Sequence, residues 1–259
     1  MKKLINSIKE EYKSKSKKVL TVYLILKVLT IICLIREIAG GDIKHIVTAI
    51  VTLILFLIPS ILHRKFKIIF PDTLEITIYI LIFSAEVLGE ILGFYVHIKI
   101  FDLVLHLLSG FVMAGIGLSL IEVFKNKNKI KHYLNPKYLI LFGIFFSMTT
   151  EVAWEIFEYS SDKLFKQDMQ KDTIITEISS IVLNEKEDTK PKTVVVESLV
   201  VNGEDYIEKY GGYIDIGLND TMKDLIAGLI GALLFSVIGY KYLKGKGKIA
   251  SKFMIKKCN

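Results

Sequence analysis

Apolar residues in this chain gather in long blocks, and charged residues sit in short stretches between them. A hydrocarbon core of about 30 Å needs roughly 20 apolar residues per helix at about 1.5 Å rise. Six blocks reach that length, at residues 18–38, 43–63, 73–94, 101–123, 138–163 and 220–242. Gly40, Gly41, Pro71, Pro136 and Gly217 stand at block edges, where helices stop and start. None of the blocks shows the alternation over about 10 residues that marks a membrane β-strand. The pattern predicts an all-α polytopic membrane protein with six transmembrane helices.

Composition agrees with the blocks. The 259 residues are 52% hydrophobic with a mean hydropathy of +0.46, which excludes an ordinary soluble domain and a disordered chain. Cys33 lies in an apolar run and Cys258 in the basic tail, so no disulfide framework is expected.

Lys and Arg near the block ends set the orientation. The leader 1–17 is basic, the second connection carries Arg64, Lys65 and Lys67, and the fourth carries Lys125, Lys127, Lys129, Lys131 and Lys137. The tail 243–259 adds Lys244, Lys246, Lys248, Lys252, Lys256 and Lys257. These four segments alternate correctly for six crossings, so both termini are expected in the cytoplasm, against a membrane of anionic lipid. The net charge of +7 is scattered between helices in this way, and no nucleic-acid partner is expected. The basic leader and the apolar run after it resemble a secretory signal, but a signal's apolar region is shorter and no small-residue cleavage site follows Arg36 and Glu37, so an uncleaved first helix is expected. Leu4, Ile5, Ile8 and Tyr12 have helical spacing, which suits either a helix lying on the inner leaflet or a solvated leader.

The organisation expected is a leader, helices one to five over 18–165, a loop 166–219, helix six over 220–242, and the tail. The loop has six Lys against eleven Asp plus Glu, as suits an extracytoplasmic segment. Its run from Thr193 to Val201, followed by Asn202-Gly203, predicts a strand entering a β-hairpin.

Ten ionisable residues of the last four blocks agree in depth, all in the expected outer half: Glu86, Glu90, Asp102, His106, Glu151, Glu155, Glu158, Asp162, Asp220 and Asp224. Their spacings of three and four place each set on one helix face. Charges in a membrane are costly and face a bundle interior, a partner or a water-filled cavity. Convergence on one outward-facing pocket is the economical arrangement, with Gly89, Gly93, Gly110, Gly228 and Gly231 allowing close helix approach. Structural readings compete with this. Glu86 and Glu90 suit helix-to-helix hydrogen bonds, Glu158, Asp162 and Asp220 suit headgroup water, and Trp154 suits packing. Asp102, His106, Glu151, Glu155 and Asp224 are deeper and are the candidate metal ligands, with Glu86, Glu90, Glu158 and Asp220 as further lining.

So many carboxylates need protons, basic partners or a metal. Among outer-half cations the sequence offers Arg36, with Lys44, Lys99 and Lys163 near the rim. His106 supplies a nitrogen and the acids supply oxygens, a donor set that suits a divalent metal ion. The inner halves, such as Leu139–Met148 and Leu229–Ile238, read as dry. A site open only to the outer leaflet suits a lipid headgroup or lipid-linked substrate, acted on through metal- or carboxylate-activated water. A proton- or cation-coupled transporter is the alternative, and a structural or immunity-type membrane protein the third.

Three segments, Asp102-Leu-Val-Leu-His106-Leu-Leu-Ser-Gly110, Glu151-Val-Ala-Trp-Glu155-Ile-Phe-Glu158 and Asp220-Thr-Met-Lys-Asp224, together resemble the YjdF type of bacterial inner-membrane protein. The resemblance covers roughly residues 70–240. It is more distantly similar to VanZ-like membrane proteins. It implies a multi-helix fold in the bacterial cytoplasmic membrane and no assigned reaction. The long 166–219 segment departs from the shorter family pattern.

Overall fold

The computed structural model describes residues 15–124, 135–184 and 190–257. Residues 1–14, with Leu4, Ile5, Ile8 and Tyr12, and the connection 125–134 lie outside the described residues, as does Cys258. The main helices are α1 (Lys17–Gly40), α2 (Ile43–Leu55), α3 (Ile58–Phe66), α4 (Asp72–Phe83), α5 (Phe101–Phe124), α6 (Pro136–Phe165) and α7 (Leu218–Leu243). Among the described residues, five helices are long and apolar enough to cross a membrane: Lys17–Gly40, Ile43–Phe66, Phe101–Ile121, Pro136–Phe165 and Leu218–Leu243. The span Ile43–Phe66 comprises α2 and α3, joined through a turn at Phe56–Leu57.

The predicted third crossing, 73–94, is built differently. Helix α4 runs on into a π-helix, Ser84–Ile91, which ends before Gly93 in the left-handed region at φ 71°. The tighter α-helical bonding gives way to wider turns here, closed by Leu92 N–H donating to the Val87 carbonyl at 2.9 Å. π-turns inside helices frequently occur at functional positions.

Two compact units divide the chain, Met1–Glu151 with Asp224–Asn259, and Val152–Lys223. In the first unit, α1, α2, α4 and the π-helix share a core of Tyr23, Ala49, Phe56, Tyr79, Phe83 and Val87. Tyr23, Phe56 and Tyr79 meet there in tilted and edge-on contacts with centroids 5.3–6.2 Å apart. Ion pairs bracket this bundle. Lys15, just before α1, pairs with Glu75 in the first turn of α4, and Lys44 at the start of α2 pairs with Glu90 at 3.0 Å.

Helices α5 and α7 pack through glycine. A Cβ on Gly110 would stand 2.1 Å from the Gly228 carbonyl oxygen, and one on Gly231 would stand 1.9 Å from that of Leu107. Only hydrogen at these positions lets the two backbones approach so closely. Ala114, Leu118, Ala232 and Phe235 continue the contact.

The tail, read from the sequence as a basic cytoplasmic segment, is packed rather than free. Ala250, Met254 and Ile255 are buried, and the Ile255 N–H donates to Ser119 Oγ on α5 at 3.0 Å. Strand β8 (Lys256–Lys257) pairs antiparallel with β1 (Ile68–Ile69) in the second connection. Its apolar residues, spaced among the lysines, account for the docking: they bury against α5 while the lysines stay outside.

In the second unit, six short strands follow α6 among the described residues. β2 (Ile174–Ile175) pairs with β7 (Tyr213–Ile214), and β3 (Glu177–Ser180) pairs with β4 (Lys192–Val195). β5 (Val200–Val201) pairs with β6 (Glu204–Asp205) across Asn202 and Gly203, whose φ values of 53° and 88° define a hairpin turn of the primed class. The single strand expected over Thr193–Val201 is therefore two strands. Between them Asp205 accepts from Ser198 Oγ at 2.8 Å and from the Leu199 N–H at 3.3 Å, which turns the chain.

Candidate metal centre

Asp102 lies in the first turn of α5 and His106 one turn later on the same face. Glu151 lies midway along α6, and Asp224 two turns into α7. In the first unit these four residues meet. His106 Nδ1 lies 2.8 Å from Glu151 Oε2, while His106 Nε2 lies 3.7 Å from Asp102 Oδ1 and 3.8 Å from Asp224 Oδ2. His106 is 7% exposed, Glu151 3% and Asp224 1%. Ligand atoms of Asp102, His106 and Asp224 all lie within 4.8 Å of one another.

Small residues around the cluster make this convergence possible. Gly228 faces Glu151, and a Cβ there would come within 2.8–3.1 Å of the carboxylate end of that side chain. Ser109 Oγ donates to Glu151 Oε1, and Ser147 Oγ, one turn before Glu151, donates to the Gly110 carbonyl at 2.9 Å. Ser109 and Ser147 were absent from the sequence-based set. Ser109 had a signal, since it stands three residues after His106 on the same helix. Ser147 had none, because its partner is a backbone carbonyl of another helix.

The donor set suits a divalent metal. Metal–ligand bonds of about 2.1 Å set neighbouring donor atoms roughly 3.0–3.4 Å apart in octahedral or tetrahedral geometry. The 3.7 and 3.8 Å separations need contraction by about 0.3–0.8 Å to reach that range. Asp102, His106 Nε2 and Asp224 are the residues that would hold an ion. Glu151 engages the opposite ring nitrogen.

The other expected site residues have these surroundings. Glu90 pairs with Lys44, and Glu86 occupies the π-helix. Glu155, Glu158 and Asp220 belong to the second unit. Glu155 is buried there at 5% exposure, and Glu158 accepts from Trp154 Nε1 at 2.9 Å on its own helix. Asp220 accepts from the Lys171 N–H at 2.6 Å, and Asp162 accepts from those of Met169 and Gln170 at 2.7 and 2.9 Å. Asp220 thus closes a loop, because backbone amides leaving a helix need acceptors and a nearby carboxylate is the strongest.

A second group, Glu37, Asp42 and His45, also brings ligand atoms within 4.8 Å. Its carboxylates are otherwise engaged: Arg36 Nε lies 2.7 Å from Glu37 Oε1, and Asp42 caps α2 through the His45 N–H at 3.1 Å. A further buried carboxylate, not among the expected site residues, lies in the first turn of α4. Glu75 is 5% exposed, and it accepts from Tyr79 Oη at 2.7 Å besides pairing with Lys15. Its partner Lys15 is 60 residues away, beyond any local pattern.

No curated protein and no solved structure matches the chain. The paired Asp-His and Asp-Asp turns, the buried glutamate between them and the glycine-lined crossing lie within residues 20–245, which match the model of DUF2238, described as a predicted membrane protein, and the chain belongs to that family of unknown function.

Proposed function

We propose that this protein crosses the bacterial cytoplasmic membrane six times with both termini inside, and that its outward-facing pocket holds a divalent cation and acts on a lipid headgroup or lipid-linked substrate. The observation that carries the reading is the mutual approach, within 4.8 Å, of ligand atoms from Asp102, His106 and Asp224.

The ion pairs of the first unit support the crossing count. Lys15 before α1 meets Glu75, and Lys44 after α1 meets Glu90. The fifteen residue steps from Glu75 to Glu90 span about 22 Å at helical rise, and the pairing of start with start and end with end makes this segment parallel to α1 over most of a bilayer, as the first and third of six crossings would be. The β1–β8 pairing supports a shared side for the second connection and the tail, two segments rich in Lys.

Three protein ligands leave coordination positions for water and one substrate oxygen, the arrangement of catalytic rather than structural sites. A bound cation supplies two things: a more acidic water and polarisation of a phosphoryl or carbonyl oxygen. The chain itself contributes a buried, low-dielectric surround in which those effects are strong.

Metal analysis of detergent-purified protein tests the reading. One equivalent of metal is expected, and His106→Ala is expected to abolish it with the protein still inserted, since carboxylates alone bind transition metals less selectively. Protein that carries no metal and takes up neither Mn²⁺ nor Zn²⁺ on titration overturns it, and a packing network of protonated carboxylates replaces it. Reporter fusions at Lys129 and Asn259 should read inside and one at Asn202 outside.

Coupled transport is the second reading, favoured by the buried Lys15–Glu75–Tyr79 group at the opposite end of α4 from Glu90. Substrate uptake into proteoliposomes that Glu75→Gln abolishes would select it.

A further inference from the structure

We propose that Glu151 is a positioning residue rather than a ligand: it holds the His106 ring by Nδ1 so that Nε2, Asp102 and Asp224 alone face the cation. The inference rests on the cation-site reading above and assigns the roles within it.

The geometry separates the two edges of one imidazole. An ionised carboxylate only accepts hydrogen bonds, so at 2.8 Å from Glu151 Oε2 the proton of the contact belongs to His106 Nδ1. That contact occupies Nδ1 and directs the ring's other edge away from Glu151. Nε2 is then the nitrogen that stands 3.7 and 3.8 Å from the two aspartates. Metal-bound histidines commonly donate their second N–H to a carboxylate, which fixes the tautomer and ring orientation and makes the ligating nitrogen more basic.

Glu151 is itself fixed on its remaining sides. Ser109 Oγ donates to Oε1, so both carboxylate oxygens are engaged within α5, one by Ser109 and one by His106. Gly228 of α7 lies so close that a methyl group would meet Glu151 Cγ at 2.8 Å and Cδ at 2.9 Å. A carboxylate gripped in this way has little freedom to swing onto a metal on the far edge of the ring. Its position on the sixth-helix glycine also explains why one turn of α7 carries Asp224 and Gly228 together: the first would ligate, and the second leaves space for the group that orients His106.

The test uses the full-length protein in detergent with ¹⁵N-labelled histidine, with and without Mn²⁺ or Zn²⁺. In metal-free wild type, the His106 Nδ1–H signal should be visible and strongly hydrogen-bonded. Glu151→Ala should lose it, while Glu151→Gln, whose amide oxygen still accepts, should keep it. Metal affinity should fall by about 10–100-fold in Glu151→Ala, with partial recovery in Glu151→Gln, whereas Asp102→Ala and Asp224→Ala should fall further. An Nδ1–H signal indifferent to Glu151→Ala overturns the assignment, as does a loss of metal in Glu151→Gln equal to that in Asp102→Ala. If the Nδ1–H signal depends on Glu151 but no metal binds, the positioning role stands and the cation reading fails.

Discussion

The two units of this protein use the same kind of residue in opposite ways. In the first, Asp102, Glu151 and Asp224 come from three helices and turn toward one imidazole. In the second, Asp162, Asp215 and Asp220 turn toward backbone N–H groups. Asp215 accepts from Thr173, Gly217 and Asn219 at 2.8, 3.1 and 3.0 Å, and Asp162 and Asp220 receive the amides of residues 169–171. Carboxylates held by amides are consumed by folding: their lone pairs close turns and cap helix ends. Carboxylates directed at a single histidine close no turn and build a side-chain cluster instead. An acidic residue at the expected outer rim is therefore informative only once its acceptor geometry is known, and Asp220 shows this, since it shares a helix face with Asp224 but not its use.

The largest effect that bears on this contrast is loss of metal. His106→Ala should abolish stoichiometric binding, and Asp220→Asn should leave the metal content of the purified protein unchanged. Equal losses in both variants would break the distinction. Next in size are the glycines that bring α5 and α7 together. Gly231→Ala and Gly110→Ala place a methyl group against backbone carbonyls at 1.9 and 2.1 Å, so the helices must separate. Overpacking of this kind costs about 1–3 kcal/mol. Both variants should lower the thermal midpoint in detergent and weaken metal binding, and a variant with full affinity would show that the site tolerates a wider crossing.

A smaller effect is expected in the second unit. Burial acts to raise the carboxyl pKa of Asp215, but the hydrogen bonds from Thr173, Asn219 and Gly217 outweigh it and hold the value below the ordinary aspartate range. A depressed folded value means the stabilisation is present above the unfolded pKa and is lost as pH falls through the folded one. Acidification below about pH 4 should therefore expose the 166–217 segment to an acid-active protease, and Asp215→Ala should do so at neutral pH, at about 0.5–2 kcal/mol for a capping-type carboxylate. The smallest effect belongs to His45→Ala, because Arg36 already pairs with Glu37 and Asp42 caps α2. Metal content should stay at the wild-type value, and a drop would promote the Glu37–Asp42–His45 group to a second site.

Local signals in the sequence were enough for some of these elements. Blocks of about 20 apolar residues produce helices whatever surrounds them, because a chain in lipid must satisfy its own backbone groups. Five of the six blocks coincide with the long apolar helices, with ends within three residues of those expected. Asn202-Gly203 marked a turn because both positions need positive φ, which Asn and Gly tolerate best. Spacing of three and four likewise placed Asp102 beside His106, since helix geometry alone decides that pair.

What lay beyond the sequence was every choice of partner across elements. Helical spacing gives a residue a face but not a neighbour, so Glu151 and Glu155 read as equivalent ligands one turn apart. The glycine crossing of α5 and α7 and the hydrogen bond to Nδ1 single out Glu151 as the residue on His106. The π-helix at Ser84–Ile91, the burial of Glu75 against Lys15, and the docking of Ile255 on Ser119 arise from packing between segments far apart in the chain. Sequence periodicity determined which residues share a helix face, because helix geometry alone sets that. Only the tertiary structure decided which of them meet, because that depends on how closely backbones approach and on which lone pairs the turns have already taken.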